Sequence, residues 1–207
     1  MLEFFERAGI MMYPLTLASL VAVAFIIERA ISLRKRKILI PEIISIVNNF
    51  SSLKDIDLAR TICDKYNGPL SNVIKLGLHN YILPKAEIKE ILQDQGRQEI
   101  RKLERGLVVL ETIAAIAPLL GLLGTVLGMV EVFEVIKNQG IGQTAALSGG
   151  ISQALLTTVA GLFIGIPVLI AYNYFTNKSE SLVLDIEKYT NDLVNKIVSL
   201  NTKSESE

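Results

Sequence analysis

Few residues of this 207-residue chain could do chemistry in an apolar setting: Glu111, Thr125, Gln153, Thr157 and Thr158. Glu111, Pro118 and Thr125 are spaced by seven, which puts them near one face of a helix. Thr158 stands three and seven residues before Gly161 and Gly165, on the small-residue side of another helix. Thr157 is its neighbour and Gln153 lies about one turn earlier. A threonine hydroxyl can hydrogen-bond a chain of waters but cannot store a proton near neutral pH. It can also bond the carbonyl four residues back, as buried helical threonines commonly do. Two threonines on small-residue faces of adjacent spans favour a polar lining. Glu111 is different in kind, because an ionisable group within a span is costly to bury and reads as functional. Lying about one turn inside the boundary, it reads equally well as a carboxylate that reaches the interface, or pairs with Arg105 or a neighbouring subunit. The middle and outer membrane receive no titratable group from this chain. A carboxylate that loads and unloads protons there must come from another polypeptide.

Glycines accompany these groups. Gly121, Gly124 and Gly128 share a side of one span, and Gly161 and Gly165 repeat the four-residue spacing in the next. Small residues let helix backbones approach where lipid and protein are equally apolar. Plain packing accounts for each glycine alone and is compatible with spans that surround a pore. Pro118 and Pro167 each remove a backbone donor from a helix and are read with the glycines as packing or hinge positions. Elsewhere whole classes of chemistry drop out. Cys63 is the single cysteine and His79 the single histidine, so no disulfide framework, metal-ligand set or His-based triad is expected. No nucleophile–base pair or phosphate loop appears, so neither a cofactor nor an enzymatic reaction is expected. Lys+Arg 21 balances Asp+Glu 21, which argues against a nucleic-acid partner. With 50% hydrophobic residues, no Trp and a mean hydropathy of +0.42, the apolar content points to a lipid bilayer.

Three stretches must position these groups. Apolar runs at 10–27, 107–130 and 154–172 define spans at 10–31, 107–133 and 151–175. Each approaches the roughly 20 residues that cross a hydrocarbon core. A cleaved signal peptide is a poor reading of the first, since Glu3 and Glu6 stand where basic residues belong and Glu28 and Arg29 where small ones would be cut. Basic residues set the orientation. Arg29, Arg34, Lys35, Arg36 and Lys37 follow the first span, and Arg101, Lys102 and Arg105 precede the second. Only Arg7 precedes the first span and only Lys137 lies between the others. The expectation is an outward amphipathic segment over 1–9, an outward loop over 134–150, and cytosolic segments over 32–106 and 176–207. Within these, the spacing predicts helices over 41–50, 55–68 (capped by Asp55) and 70–81. A continuous helix from Pro84 through the second span would measure about 70 Å. Leu182, Ile186, Tyr189, Leu193, Ile197 and Leu200 carry the third helix onward, and the tail after Asn201 reads as disordered. The fold class is all-α: a polytopic membrane protein with three transmembrane helices, two of them extending into a helical cytosolic region.

The stretch APLLGLLGTVLGMVEVF at 117–133, followed by GGISQALLTTVAGLFIGIPVLIAYNYF at 149–175, resembles the ExbB/TolQ/MotA proton-channel family. The three-span layout extends the likeness over nearly the whole chain, and the length is similar to the ExbB/TolQ branch. The resemblance implies a stator subunit of the bacterial inner membrane, N-terminus periplasmic, driven by the proton-motive force. It implies a homopentamer around a dimer of an ExbD/TolR-like single-span partner whose membrane aspartate carries the proton, with a TonB/TolA-like protein beyond it. The work implied is TonB-dependent uptake or Tol-Pal function. The family's pore threonines match Thr125 and Thr158, and its prolines match Pro118 and Pro167. Many ExbB and TolQ members have a glutamate where Gln153 stands, so an ionisable group is missing there. A non-conducting membrane scaffold would explain the glycines but not the aligned threonines.

Overall fold

The computed structural model describes residues 10–52, 55–140 and 144–205, and every regular element among them is an α-helix. The segment expected over 1–9 lies outside the described residues. Three helices are long and apolar enough to cross a membrane. The chain divides into two compact units, Met1–Arg29 with Gly106–Tyr174 and Ala30–Arg105 with Phe175–Glu207.

The first unit contains nearly all of α1 (Met12–Ser32), with α7 (Leu107–Gln139) and the first part of α8 (Thr144–Glu205). Their aliphatic residues are largely uncovered. Leu17, Leu20 and Val23 of α1, Leu122, Val126 and Phe133 of α7, and Val159, Phe163 and Ile166 of α8 are all exposed. Surface of that kind needs lipid or further protein against it. The connection expected over 134–150 is mostly helical instead. Glu131, Glu134 and Lys137 are acceptable helix formers, so α7 continues until Gly140 takes a left-handed φ of 76° and donates its N–H to the Ile136 carbonyl. The continuous helix expected from Pro84 is also interrupted. The α6 helix (Lys85–Glu104) ends before Arg105 and Gly106, and α7 begins at Leu107. Gly106 has a packing reason to lack a side chain: the buried Arg29 side chain lies beside the Cβ position, its Nε 2.7 Å from it.

The second unit adds α2 (Lys35–Ile38), α3 (Pro41–Asn49), α4 (Ile56–Lys65) and α5 (Pro69–His79) to α6 and the remainder of α8. Proline opens α3 and α5, where its missing N–H costs nothing. The α8 stripe is as the sequence suggests, with Leu182, Ile186, Leu193 and Ile197 buried beside Ile43, Val47, Ile74 and Leu92. Asp55 does not cap α4. Its backbone is already helical, and its Oδ2 accepts the Ser52 N–H at 3.1 Å. Nor does order end at Asn201, because α8 runs on to Glu205, with 206–207 outside the described residues, and Asn201 Nδ2 donates to the Tyr81 carbonyl at 2.6 Å. Lys196 Nζ likewise donates to the Val47 and Asn48 carbonyls at 2.7 and 2.6 Å, covering the open end of α3.

Candidate functional site

The α7 and α8 helices of the first unit run antiparallel along a seam of small residues. Gly165 faces Pro118, Gly161 faces Gly121, Thr157 faces Gly124 and Ala154 faces Gly128. A Cβ on Gly161 would stand 2.6 Å from the Ala117 carbonyl oxygen and 2.9 Å from the Gly121 Cα. A Cβ on Gly165 would meet the Pro118 ring at 2.8 Å. All five glycines singled out by spacing therefore lie in one contact, and Gly165 makes room for a proline inside a helix. Gly150 belongs to the seam as well, against Val132. It lies four residues before the apolar run, beyond the glycine pairs that spacing singled out.

The backbone approach lets one hydroxyl cross between helices. Thr158 Oγ1 donates to the Gly121 carbonyl at 2.9 Å and lies 3.4 Å from Thr125 Oγ1. Thr125 in turn donates to the Leu122 carbonyl of its own helix at 2.6 Å. Each hydroxyl has one proton, and both protons are committed to carbonyls. What the two half-buried oxygens offer their surroundings is lone pairs. The site accepts hydrogen bonds from water, hydronium or a protonated carboxyl group, and donates none in this arrangement. Thr157, about 100° of helix turn from its neighbour Thr158, also faces the seam. It is buried in the contact, with its Cβ 2.7 Å from where a Gly124 Cβ would stand and its hydroxyl donating to the Ala154 carbonyl at 2.7 Å. Its four-residue step to Gly161 was the available signal, since i and i+4 share a face as well as i and i+3 do.

The other candidates lie apart. Gln153 is half-buried one turn before Thr157, and Pro167 is exposed. Glu111 is exposed on α7, and among the described residues it has no ion-pair partner; Arg105 does not reach it. Fourteen residues separate it from Thr125, about 21 Å along a helix, so the carboxylate and the hydroxyl pair do not form one site. Among the described residues no group of acidic, histidine or cysteine side chains could hold a metal ion.

The charge-free seam, with its paired hydroxyls at a glycine crossing, lies within the part of the chain that matches a known family. Residues 65–188, more than half of the chain, match the model of the MotA/TolQ/ExbB proton channel family. The chain belongs to that family. An ExbB homolog of Methanothermobacter thermautotrophicus is 30% identical over 187 residues, covering 90% of this chain and 66% of the relative. The biopolymer transport protein ExbB of Xanthomonas campestris pv. campestris is 33% identical, covering 51% of this chain and 42% of its own length. That of Neisseria gonorrhoeae is 35% identical, covering 49% and 46%. The chain thus spans between two fifths and two thirds of the length of these relatives. As a MotA/TolQ/ExbB member with three membrane-crossing helices, it is a multi-pass membrane protein of the proton-channel class.

Proposed function

We propose that this chain is the stator subunit of a proton-driven envelope machine, with several copies, five by analogy, ringed around a single-span partner. The seam of α7 and α8 lies on the inside and α1 on the outside. Composition supports this, since Gly and Thr populate the inner helices while α1 is bulky and aliphatic. The basic residues after α1 and before α7 support a cytosolic middle segment and C-terminus, with the N-terminus on the outer side of the inner membrane. The partner supplies the membrane carboxylate that this chain lacks, in the manner of ExbD or TolR; TonB-dependent uptake or Tol-Pal function is the work driven.

The observation that carries this reading is the Thr158–Gly121–Thr125 contact, two oxygens with free lone pairs at mid-span. They accept a hydrogen bond from the partner's acid, or from a water relaying its proton, as the proton passes. Thr125→Val and Thr158→Val keep nearly the same volume and remove one acceptor each. Loss of a hydrogen bond from a neutral acid or water is worth about 0.5–1.5 kcal/mol, roughly a two- to tenfold fall in flux. Proton flux in vesicles holding the subunit and its partner measures it. Thr112→Val is the control, because Thr112 is exposed and bonds only the Val108 carbonyl; Thr157→Val is unsuitable, since Thr157 packs in the seam. Normal flux in both variants would leave the non-conducting scaffold as the better reading.

A further inference from the structure

We propose that the groove beside Gly96 in the second unit is an interface between copies, and that it receives the basic turn at 34–37 of the neighbouring copy. The groove is a cavity of about 420 Å³ between α6 and α8, floored by Leu92, Ile100 and Ile186. Gly96 is in the interior of α6, where glycine weakens a helix relative to alanine. A Cβ there would meet nothing within 4 Å, so packing within the described chain gives no reason for it. A close approach from outside does.

The polar groups facing the groove present acceptor oxygens near Gly96, with Glu99 already paired with Lys102 and Lys89 the one lining cation without an ion-pair partner among the described residues. Glu99 is 2% exposed, and Asn72 Nδ2, Gln95 Nε2 and Lys102 Nζ all donate to its Oε1, at 3.1, 3.0 and 2.9 Å. None of the three reaches Oε2. Thr190 spends its proton on the Ile186 carbonyl at 2.7 Å and presents lone pairs. Glu187 on the same wall is exposed and has no ion-pair partner among the described residues. Of the two basic groups that line the groove, Arg97 is paired with Asp94 at 3.6 Å, and Lys89 sits two turns of α6 away from Gly96.

The complementary surface is on the same chain. Arg34, Arg36 and Lys37 are exposed and have no ion-pair partner among the described residues. Lys35 fixes their level, because its Nζ pairs with Asp185 at 3.3 Å, two residues before Glu187 on α8. Copies related by rotation about a common axis keep every residue at its own level. The basic turn of one copy therefore arrives at the level of the next copy's Glu187, a head-to-tail contact that closes a ring. This contact rests on the ring proposed above, and the experiment separates the two. Two differently tagged chains are coexpressed in a Cys63→Ala background, one with Arg36→Cys and the other with Gly96→Cys, and treated in the membrane with a short bismaleimide. The expected product carries both tags. Its yield falls several-fold when Glu187→Lys is added, and again as salt rises from about 0.1 M to about 1 M and screening shortens from about 10 Å to about 3 Å. A ring by native mass without that product overturns the interface and leaves the basic turn to lipid headgroups; a monomer overturns both ring and interface. If Gly96→Cys fails to assemble, a charge swap decides: Arg36→Glu and Glu187→Arg should each lower ring recovery about tenfold and restore it together, and absence of rescue overturns the interface.

Discussion

Gly161→Ala tests the helix crossing on which the hydroxyl pair depends. The added methyl would stand 2.6 Å from the Ala117 oxygen and 2.9 Å from the Gly121 Cα, and both are backbone atoms that cannot swing aside. Ordinary contact begins at 3.4 Å, so α8 must retreat from α7 by about 0.8 Å. Overpacking of this kind costs about 1–3 kcal/mol. The same retreat stretches the 2.9 Å Thr158–Gly121 hydrogen bond beyond useful length, costing about 1 kcal/mol more. Alanine returns up to about 1 kcal/mol through helix propensity. The net loss is about 1–3 kcal/mol, a melting shift of roughly 5 °C for a chain of this size. Thermal loss of the oligomer in a fixed detergent, followed by size exclusion, reads it. Gly149→Ala is the matched control, since a Cβ there meets nothing within 4 Å and the change should be neutral or stabilising. A Gly161→Ala protein as stable as its parent, with unchanged flux, would refute the close crossing.

Glu111→Gln should keep flux within about twofold, because the carboxylate is exposed and lies about 21 Å along the helix from Thr125; abolished flux with the oligomer and partner binding intact would make Glu111 a proton carrier. Burial pushes the Cys63 thiol from 9.0 up to about 11, so the folded protein holds this proton more tightly than the unfolded chain does. The resulting stability is complete below pH 9 and declines as pH rises toward 11, by about 1.4 kcal/mol at pH 10. Denaturant titrations of parent and Cys63→Ala at about pH 8 and about pH 10 should differ in pH dependence by that amount, and identical dependence would refute it. Lys196→Met removes two donors from the end of α3 and should speed hydrogen exchange across Pro41–Asn49 about tenfold, the equivalent of about 1.4 kcal/mol; unchanged exchange would show that the lysine does not hold that helix end.

Much of this protein was written in its sequence for reasons that are local. Three apolar runs separated by charge can only be buried in lipid, and the spacing of Gly121, Gly124, Gly128, Gly161 and Gly165 already lay on helix faces. Prolines at 41 and 69 marked helix starts because the ring fixes φ and lacks a donor wherever it occurs. Other features depend on what another element brings. The absence of a side chain at Gly106 is required by Arg29, remote in sequence, whose side chain fills the space beside it. Asp55 had a capping residue's identity but a helical backbone, so its carboxylate turned to Ser52. The end of α8 as far as Glu205 is anchored by Asn201, whose side chain reaches Tyr81. Periodicity gives the direction of Thr157 and Thr158 only to within a fraction of a turn. Which of them is buried in the seam and which bonds across it was decided by the offset at which two glycine faces interlock, a property of the helix pair and of neither helix alone.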